Sequence, residues 1–517
     1  MQRIQLSLFL LIIIYSLVVQ SQPLIKSKSQ PTVVVRESST MSHDGRNAIP
    51  QTVVNRAFSG EAAGDNFGFS VATAGDVNGD AYPDIIVGAP MNDAAGTNAG
   101  RAYIFFGGPA LNATPNVILT GLTAGDLFGF SVAGAGDMNT DGYDDVFVGA
   151  PGFSGDLAGR GQAYVFLGGF AMDNTWDEMM TGDNPGDSLG YSVAGVGDMN
   201  GDGYNDVIAG SPNFDNASEV DQGIAYIYFG ADFLHNDPDV IIVGAESNLG
   251  FGFSVSGAGD VNSDGYSDVI VGTPFHDAGG TDAGRAYIYY GGAFVDKYFD
   301  VRITGNAGEG LGWSVAGAGD VNGDGYADVI VGKSPSSPGA FIYYGDKDTM
   351  DGLSDLTFSG DDGTDAFGSA LATAGDVNGD GYRDILVGAS ASDSGGTDAG
   401  RVFVFYGGST MNATNDVIFT GTSAGDAFGT SVSKAGDING DGYDDLLIGA
   451  PGNDDNGANA GKVYLIVSNT ISVASSNSTF YGYQGTIDNN QDYGSAVSGA
   501  GDFNNAGFDD FMISDPR

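Results

Sequence analysis

One nine-residue phrase, clearest as Asp320-Val321-Asn322-Gly323-Asp324-Gly325-Tyr326-Ala327-Asp328, recurs eight times in the chain with an apolar, strand-like segment on either side. Its first Asp falls at 76, 137, 198, 260, 320, 376, 437 and 502, giving intervals of 61, 61, 62, 60, 56, 61 and 65 residues. A regular period means repeated supersecondary units, each burying its apolar face against the next copy.

Each period carries four strand signals. In the second they are Phe128–Ala133, Val146–Gly149, Gln162–Leu167 and Trp176–Thr181, with short turns between them. Rows of short strands without helical periodicity predict an all-β chain: a β-propeller of four-stranded antiparallel blades. One strand at Val53–Ser59 precedes seven such units and two more follow Gln491, which is one strand short of eight complete blades. If Thr32-Val33-Val34-Val35 supplies the missing strand, the eighth blade closes with two strands from each end. Eight repeats in eight blades is therefore the preferred expectation, and a seven-bladed ring is the alternative. Residues 1–21 read as a signal peptide, 22–51 as a lead-in or linker and 52–517 as the propeller.

The phrase itself has the chemistry of an oxygen-donor loop. Its first position holds Asp76, Asp137, Asp198, Asp260, Asp320, Asp376 and Asp437 in the first seven copies; its third, Asn78, Asn139, Asn200, Asn262, Asn322, Asn378 and Asn439. The fifth holds Asp80, Asp141, Asp202, Asp264, Asp324, Asp380 and Asp441, and the ninth Asp84, Asp145, Asp206, Asp268, Asp328, Asp384 and Asp445. The backbone carbonyl of the seventh, at Tyr82, Tyr143, Tyr204, Tyr266, Tyr326, Tyr382 and Tyr443, adds another oxygen. Calcium takes 6–8 such oxygens in irregular geometry, whereas zinc prefers nitrogen and sulfur, so about seven Ca²⁺ sites are expected. Turn formation alone explains Asp, Asn and Gly but does not demand an acid at both the fifth and ninth positions. The spacing departs from an EF-hand, which needs Glu at position 12 where Val271 and Val331 stand here. The first copy has Ala81 for the turn Gly, and the eighth has Ala506 in place of the fifth-position acid, which weakens both sites.

Charge and compartment narrow the function. The formal charge is −48 with only 18 Lys and Arg, which excludes nucleic acid as a partner and disfavours an anionic membrane unless calcium bridges it. The apolar run Leu6–Val19 after Arg3 reads as a cleaved secretory signal, too short for a span, and no later segment reaches 18 apolar residues. A secreted, extracellular chain with no membrane span after cleavage is expected. There is no Cys and there are three His (His43, His235 and His276), so no catalytic residues are assigned and the chain is not expected to be an enzyme. Of the three, His276 reads as an exposed loop residue. Sequons at Asn112, Asn216, Asn412 and Asn477 make it a glycoprotein only in a eukaryotic source. Tyr residues in segments such as Ala286–Tyr290 read as blade packing before a sugar-stacking platform.

Two further motifs frame each ladder. Phe67-Gly68, Phe128-Gly129, Phe251-Gly252, Phe367-Gly368 and Phe428-Gly429 lie before it, with Leu189-Gly190, Leu311-Gly312 and Tyr493-Gly494 as variants. Gly88-Ala89-Pro90, Gly149-Ala150-Pro151 and Gly449-Ala450-Pro451 lie after it, while Gly332-Lys333-Ser334 and Ser514-Asp515-Pro516 depart. From about residue 57 to 517 the units resemble FG-GAP repeats, as in the N-terminal propeller of integrin α subunits. The resemblance implies calcium loops between the first and second strands of each blade, away from the ligand face. It also implies a binding role toward an extracellular protein, matrix or glycan ligand, an adhesion-type module. A lectin-like or polysaccharide-processing propeller is the alternative. The strand 2–3 loops, such as Met91–Gly100 and Phe275–Gly284, are then where ligand should bind.

Overall fold

The computed structural model describes residues 54–468, apart from 110, 156, 217–219, 246–248, 348–349 and 361–362, and the backbone of 34–37, 497–501 and 510–513. Six blades are meanders of four consecutive strands, each neighbour antiparallel. They are β3–β6 (Ser70–Gly75, Asp84–Ala89, Arg101–Phe105, Val117–Thr120) and β7–β10 (Ser131–Gly136, Asp145–Ala150, Gln162–Phe166, Glu178–Thr181). Next come β11–β14 (Ser192–Gly197, Asp206–Ser211, Ile224–Tyr228, Val240–Val243) and β15–β18 (Ser254–Gly259, Asp268–Thr273, Arg285–Tyr289, Val301–Thr304). The fifth and sixth are β19–β22 (Val315–Gly319, Asp328–Gly332, Ala340–Tyr343, Leu356–Phe358) and β23–β26 (Ala370–Gly375, Asp384–Ala389, Arg401–Phe405, Val417–Thr420). Blade seven has β27–β29 (Ser431–Gly436, Asp445–Ala450, Lys462–Ile466), and β2 (Val54–Ser59) pairs with β29 as its outer strand.

That pairing corrects the eight-blade expectation. Because β2 already supplies the fourth strand of blade seven, the ring closes at seven and needs no second strand from the N-terminal segment. The stretch expected to complete an eighth blade instead forms β1 (Val34–Glu37), which pairs with the outer edge of β26 and gives blade six a fifth strand. The eighth repeat is represented by a separate antiparallel hairpin, β30 (Val497–Gly501) with β31 (Asp510–Ile513). The expected signal segment, the rest of the lead-in and the eighth ladder lie outside the described residues. Among the described residues no helix is long and apolar enough to cross a membrane.

The second strand explains the core. Asp84–Ala89 and its counterparts are buried at every position, because each is flanked on both faces by a neighbouring blade. A strand covered on both sides reads as a continuous apolar run rather than an alternation. Seven apolar clusters result, each built from two adjoining blades; one joins Ile86, Ala102 and Leu119 to Val146, Val148 and Tyr164. Tyr287 and Tyr289 are buried in such a cluster, as blade packing requires.

The FG and GAP motifs hold one blade to the next. Phe128 is buried edge-on against Tyr164 at 5.5 Å, and Gly129 donates its N–H to the Gly149 carbonyl of its own blade at 3.0 Å. The Gly129 carbonyl then accepts the Ser70 hydroxyl of the preceding blade at 2.9 Å. Gly88 faces that same carbonyl so closely that a Cβ would collide with it, which is why this position is Gly. Ser131, Ser192, Ser254 and Ser314 repeat the hydroxyl bond around the ring. Ser431 closes it onto Gly68 of blade one at 2.8 Å, across 363 residues of sequence. Blade six has Ala370 at this position.

Candidate functional site

The two ends of the ring carry different chemistry. At one end, loops between first and second strands hold the acidic ladders. Each begins at a β-bulge, such as that between Thr73 and Gly75, where Gly75 has φ of 76° and a Cβ would run into Asp144 of the next blade. The bulge turns the first Asp back over its own loop. Asp76 accepts the amides of Gly79, Asp80 and Ala81 at 2.7–3.0 Å, and Asp320 those of Gly323, Asp324 and Gly325 at 2.6–3.1 Å. Asn322 links its carbonyl and amide groups to Asp324, whose other carboxylate oxygen takes the Tyr326 amide.

The ninth-position Asp is the most constrained residue of the ladder. Asp328 is fully buried, and its two oxygens accept the amides of Val321 and Gly345 at 2.8 and 2.9 Å. Asp84 does the same with Val77 and Gly107, and Asp445 with Ile438 and Ser468. Burial, with the first- and fifth-position carboxylates nearby, pushes Asp84, Asp145, Asp206, Asp268 and Asp328 up to about 7 and Asp445 to about 8. Asp384 is raised for the same reasons.

All seven ladders expected from sequence are therefore formed between the first two strands of a blade. Among the described residues, however, no three acidic or imidazole groups converge as a ready metal cage, since the ninth carboxylate is directed to backbone amides. The donor set fits a hard cation in kind, because it is all oxygen and both oxygens of a ninth-position carboxylate such as Asp328 keep a further lone pair beside their single amide bond.

Ladders are also joined to one another. The eighth-position N–H of one blade donates to the first-position carbonyl of the preceding blade: Asp144 to Asp76, Asn205 to Asp137, Ser267 to Asp198, Ala327 to Asp260, Arg383 to Asp320 and Asp444 to Asp376, all at 3.0–3.2 Å. In blade one that position is Pro83, which has no N–H, and the Asp437 carbonyl takes Gly440 of its own loop instead.

At the opposite end the residue after each FG pair lines the mouth of the ring. Phe69, Phe130, Tyr191, Phe253 and Trp313, from blades one to five, form a half-buried crescent with ring centroids 4.8–5.1 Å apart. Phe275, on the strand 2–3 loop of blade four, meets both Phe253 and Trp313 edge-on. Ser369 and Thr430 occupy the corresponding positions in blades six and seven and leave the crescent open there. Such faces receive cations and apolar groups through the ring quadrupole. Sequence reasoning missed these five; the signal was the aromatic third letter of Phe-Gly-Phe, Leu-Gly-Tyr and Leu-Gly-Trp. His276, on the same loop as Phe275, is buried against Arg285 rather than exposed.

Geometry and motif thus define a seven-bladed ring with acid-laddered loops at one end and an aromatic mouth at the other. The FG-GAP repeat model matches residues 67–105, 128–166, 189–228, 251–289, 311–345, 367–405 and 428–466, one segment per blade, and the chain belongs to this family. Similar proteins include integrin alpha-5 of Xenopus laevis, 35% identical over 30% of this chain and 15% of the relative. Integrin alpha-8 of Gallus gallus is 34% identical over 44% of this chain and 21% of the relative. Phosphatidylinositol-glycan-specific phospholipase D of Bos taurus is 28% identical over 61% of this chain and 42% of the relative. The matched regions thus span less than half the length of each of these curated relatives. A solved structure, BBS1N in complex with ARL6DN, aligns at TM-score 0.47 and 9% identity over 80% of this chain and 95% of that one.

Proposed function

We propose that this chain is a secreted, adhesion-type binding module that receives an extracellular protein or matrix component on its aromatic end, with calcium held by the seven ladders at the other. The observation that carries the reading is the aromatic crescent. Five half-buried rings follow one another on consecutive blades, and packing of the blades does not require them: Ser369 and Thr430 serve in blades six and seven. Similarity to integrin alpha subunits supports the role, and no catalytic constellation is proposed despite the phospholipase D relative.

In this reading calcium would be held by the first-, third-, fifth- and ninth-position side chains and the seventh-position carbonyl, supplying charge neutralisation to three clustered carboxylates per loop. Thermal unfolding of metal-stripped protein during calcium titration tests it. A rising midpoint with at least about four ions bound supports the assignment; no rise overturns it.

The crescent is tested with Phe130→Ser, Tyr191→Ser and Trp313→Ser combined, against panels of extracellular matrix proteins and of glycans. Loss of binding to a protein panel member in the folded variant supports the proposal. The same half-buried rings could stack on sugar faces, so a glycan signal without hydrolysis would establish the lectin alternative, and released product would establish an enzyme.

A further inference from the structure

The ladder end carries an aromatic feature of its own that neither the fold nor the reading above uses. Loops between third and fourth strands return to this end, and each is fixed by a backbone bond to the ladder of the preceding blade: Gly169 to Val77, Ala231 to Met138 and Gly292 to Met199, at 2.8–2.9 Å. One apolar side chain per loop tucks inward, namely Met172, Leu234 and Val295 in blades two to four. Beside these anchors stand Phe170, Phe233 and Phe294, with 88, 88 and 97% of their surface exposed. The matching stretches of blades one, five and six place Pro109, Lys347 and Ser409-Thr410 there, so the loop does not need Phe to fold. Three nearly free phenyl rings on consecutive blades are unusual for a surface that meets only water.

Their surroundings select the partner. Asp173, Asp232, Asp237 and Asp296 are exposed on the same three loops, and Asp232 is held by the Tyr204 hydroxyl at 2.8 Å. Against them these loops carry only His235 and Lys297 as basic residues, in a chain of net charge −48. An anionic surface is repelled, and a cationic one is complemented by both carboxylates and ring faces. Blade four already shows the pairing internally, with the Arg302 guanidinium 5.8 Å from the centre of the Phe299 ring.

We propose that the ladder end of blades two to four docks a basic, amphipathic segment of another protein, its Arg and Lys side chains set against these carboxylates and rings and its apolar residues seated between the three phenyl groups. This surface lies at the opposite end from the aromatic crescent and stands or falls separately from it. The test uses the full chain, a labelled amphipathic peptide of about 18 residues alternating Arg and Leu in pairs, and a counterpart with Glu for Arg. Saturable binding of the Arg peptide alone is expected. Both Phe170→Ser/Phe233→Ser/Phe294→Ser and Asp173→Asn/Asp232→Asn/Asp296→Asn should weaken it at least about tenfold, with midpoints of unfolding within about 2 °C of wild type. Equal binding by the serine variant, or no binding by wild type, overturns the proposal. So does association with neutral phosphatidylcholine vesicles, or concentration-dependent dimerisation in sedimentation, that is abolished by the serine changes while peptide binding is not.

Discussion

The two ends of the ring differ in how strictly they repeat. At the ladder end seven loops make nearly the same bonds, down to which amide each ninth-position oxygen accepts. At the other end the residue after FG is Phe, Tyr or Trp in five blades, Ser or Thr in two, and the strand 2–3 loop shortens in blade five. Chemistry that recurs in every blade maintains the ring. Chemistry that changes from blade to blade is free to recognise something.

Substitutions should separate the two ends. The largest loss is expected from Asp328→Ala, which strips two buried amides, Val321 and Gly345, of their acceptor and should cost about 3 kcal/mol or more even without metal. Chemical denaturation of metal-free protein measures it. Gly88→Ala, which forces a methyl into the Gly129 carbonyl, should cost roughly 2–4 kcal/mol by the same method. A smaller, distributed effect follows from pH. Burial raises the ninth-position Asp84 and Asp328 from 3.8 to about 7, and their counterparts in the same direction, so folding favours their protonated form. That contribution is complete below about pH 4 and fades as pH climbs through 7. The midpoint of metal-free protein should fall across that window, and bound calcium should flatten the slope. Ala370→Ser would restore the hydroxyl bond that blade six lacks and should gain about 0.5–1 kcal/mol. Trp313→Ser, at the variable end, gives up its ring contacts with Phe253 and Phe275, which should cost about 1 kcal/mol, and removes binding surface as well.

Much of the ladder end was legible in sequence. The acids, their strands and the FG and GAP residues stand at fixed spacing, and a local loop is fixed by local residues. The first strand was placed about three residues early, at Phe128 rather than Ser131, because the FG segment is apolar and extended. It makes an isolated parallel bridge from Phe128 to Gly100 of the preceding blade instead of joining its own sheet. Blade number was not legible, since it depends on β2 meeting β29 some 400 residues away, a pairing no repeat period encodes. The crescent was hidden for a related reason: five aromatics one per blade look unrelated until the ring brings them together.

Pro83 gives this near-symmetric molecule a direction. The amide-to-carbonyl relay among the ladders runs through six junctions and stops at the seventh, so at that end the blades form a string with a first and a last member rather than an endless belt. Breathing motions should therefore start between blades seven and one, beneath the β2 closure and the Ser431 bond that guard the far side. Amide exchange at the ladder of blade seven should outpace that of blade four, and Pro83→Ala, by returning the missing donor, should slow it.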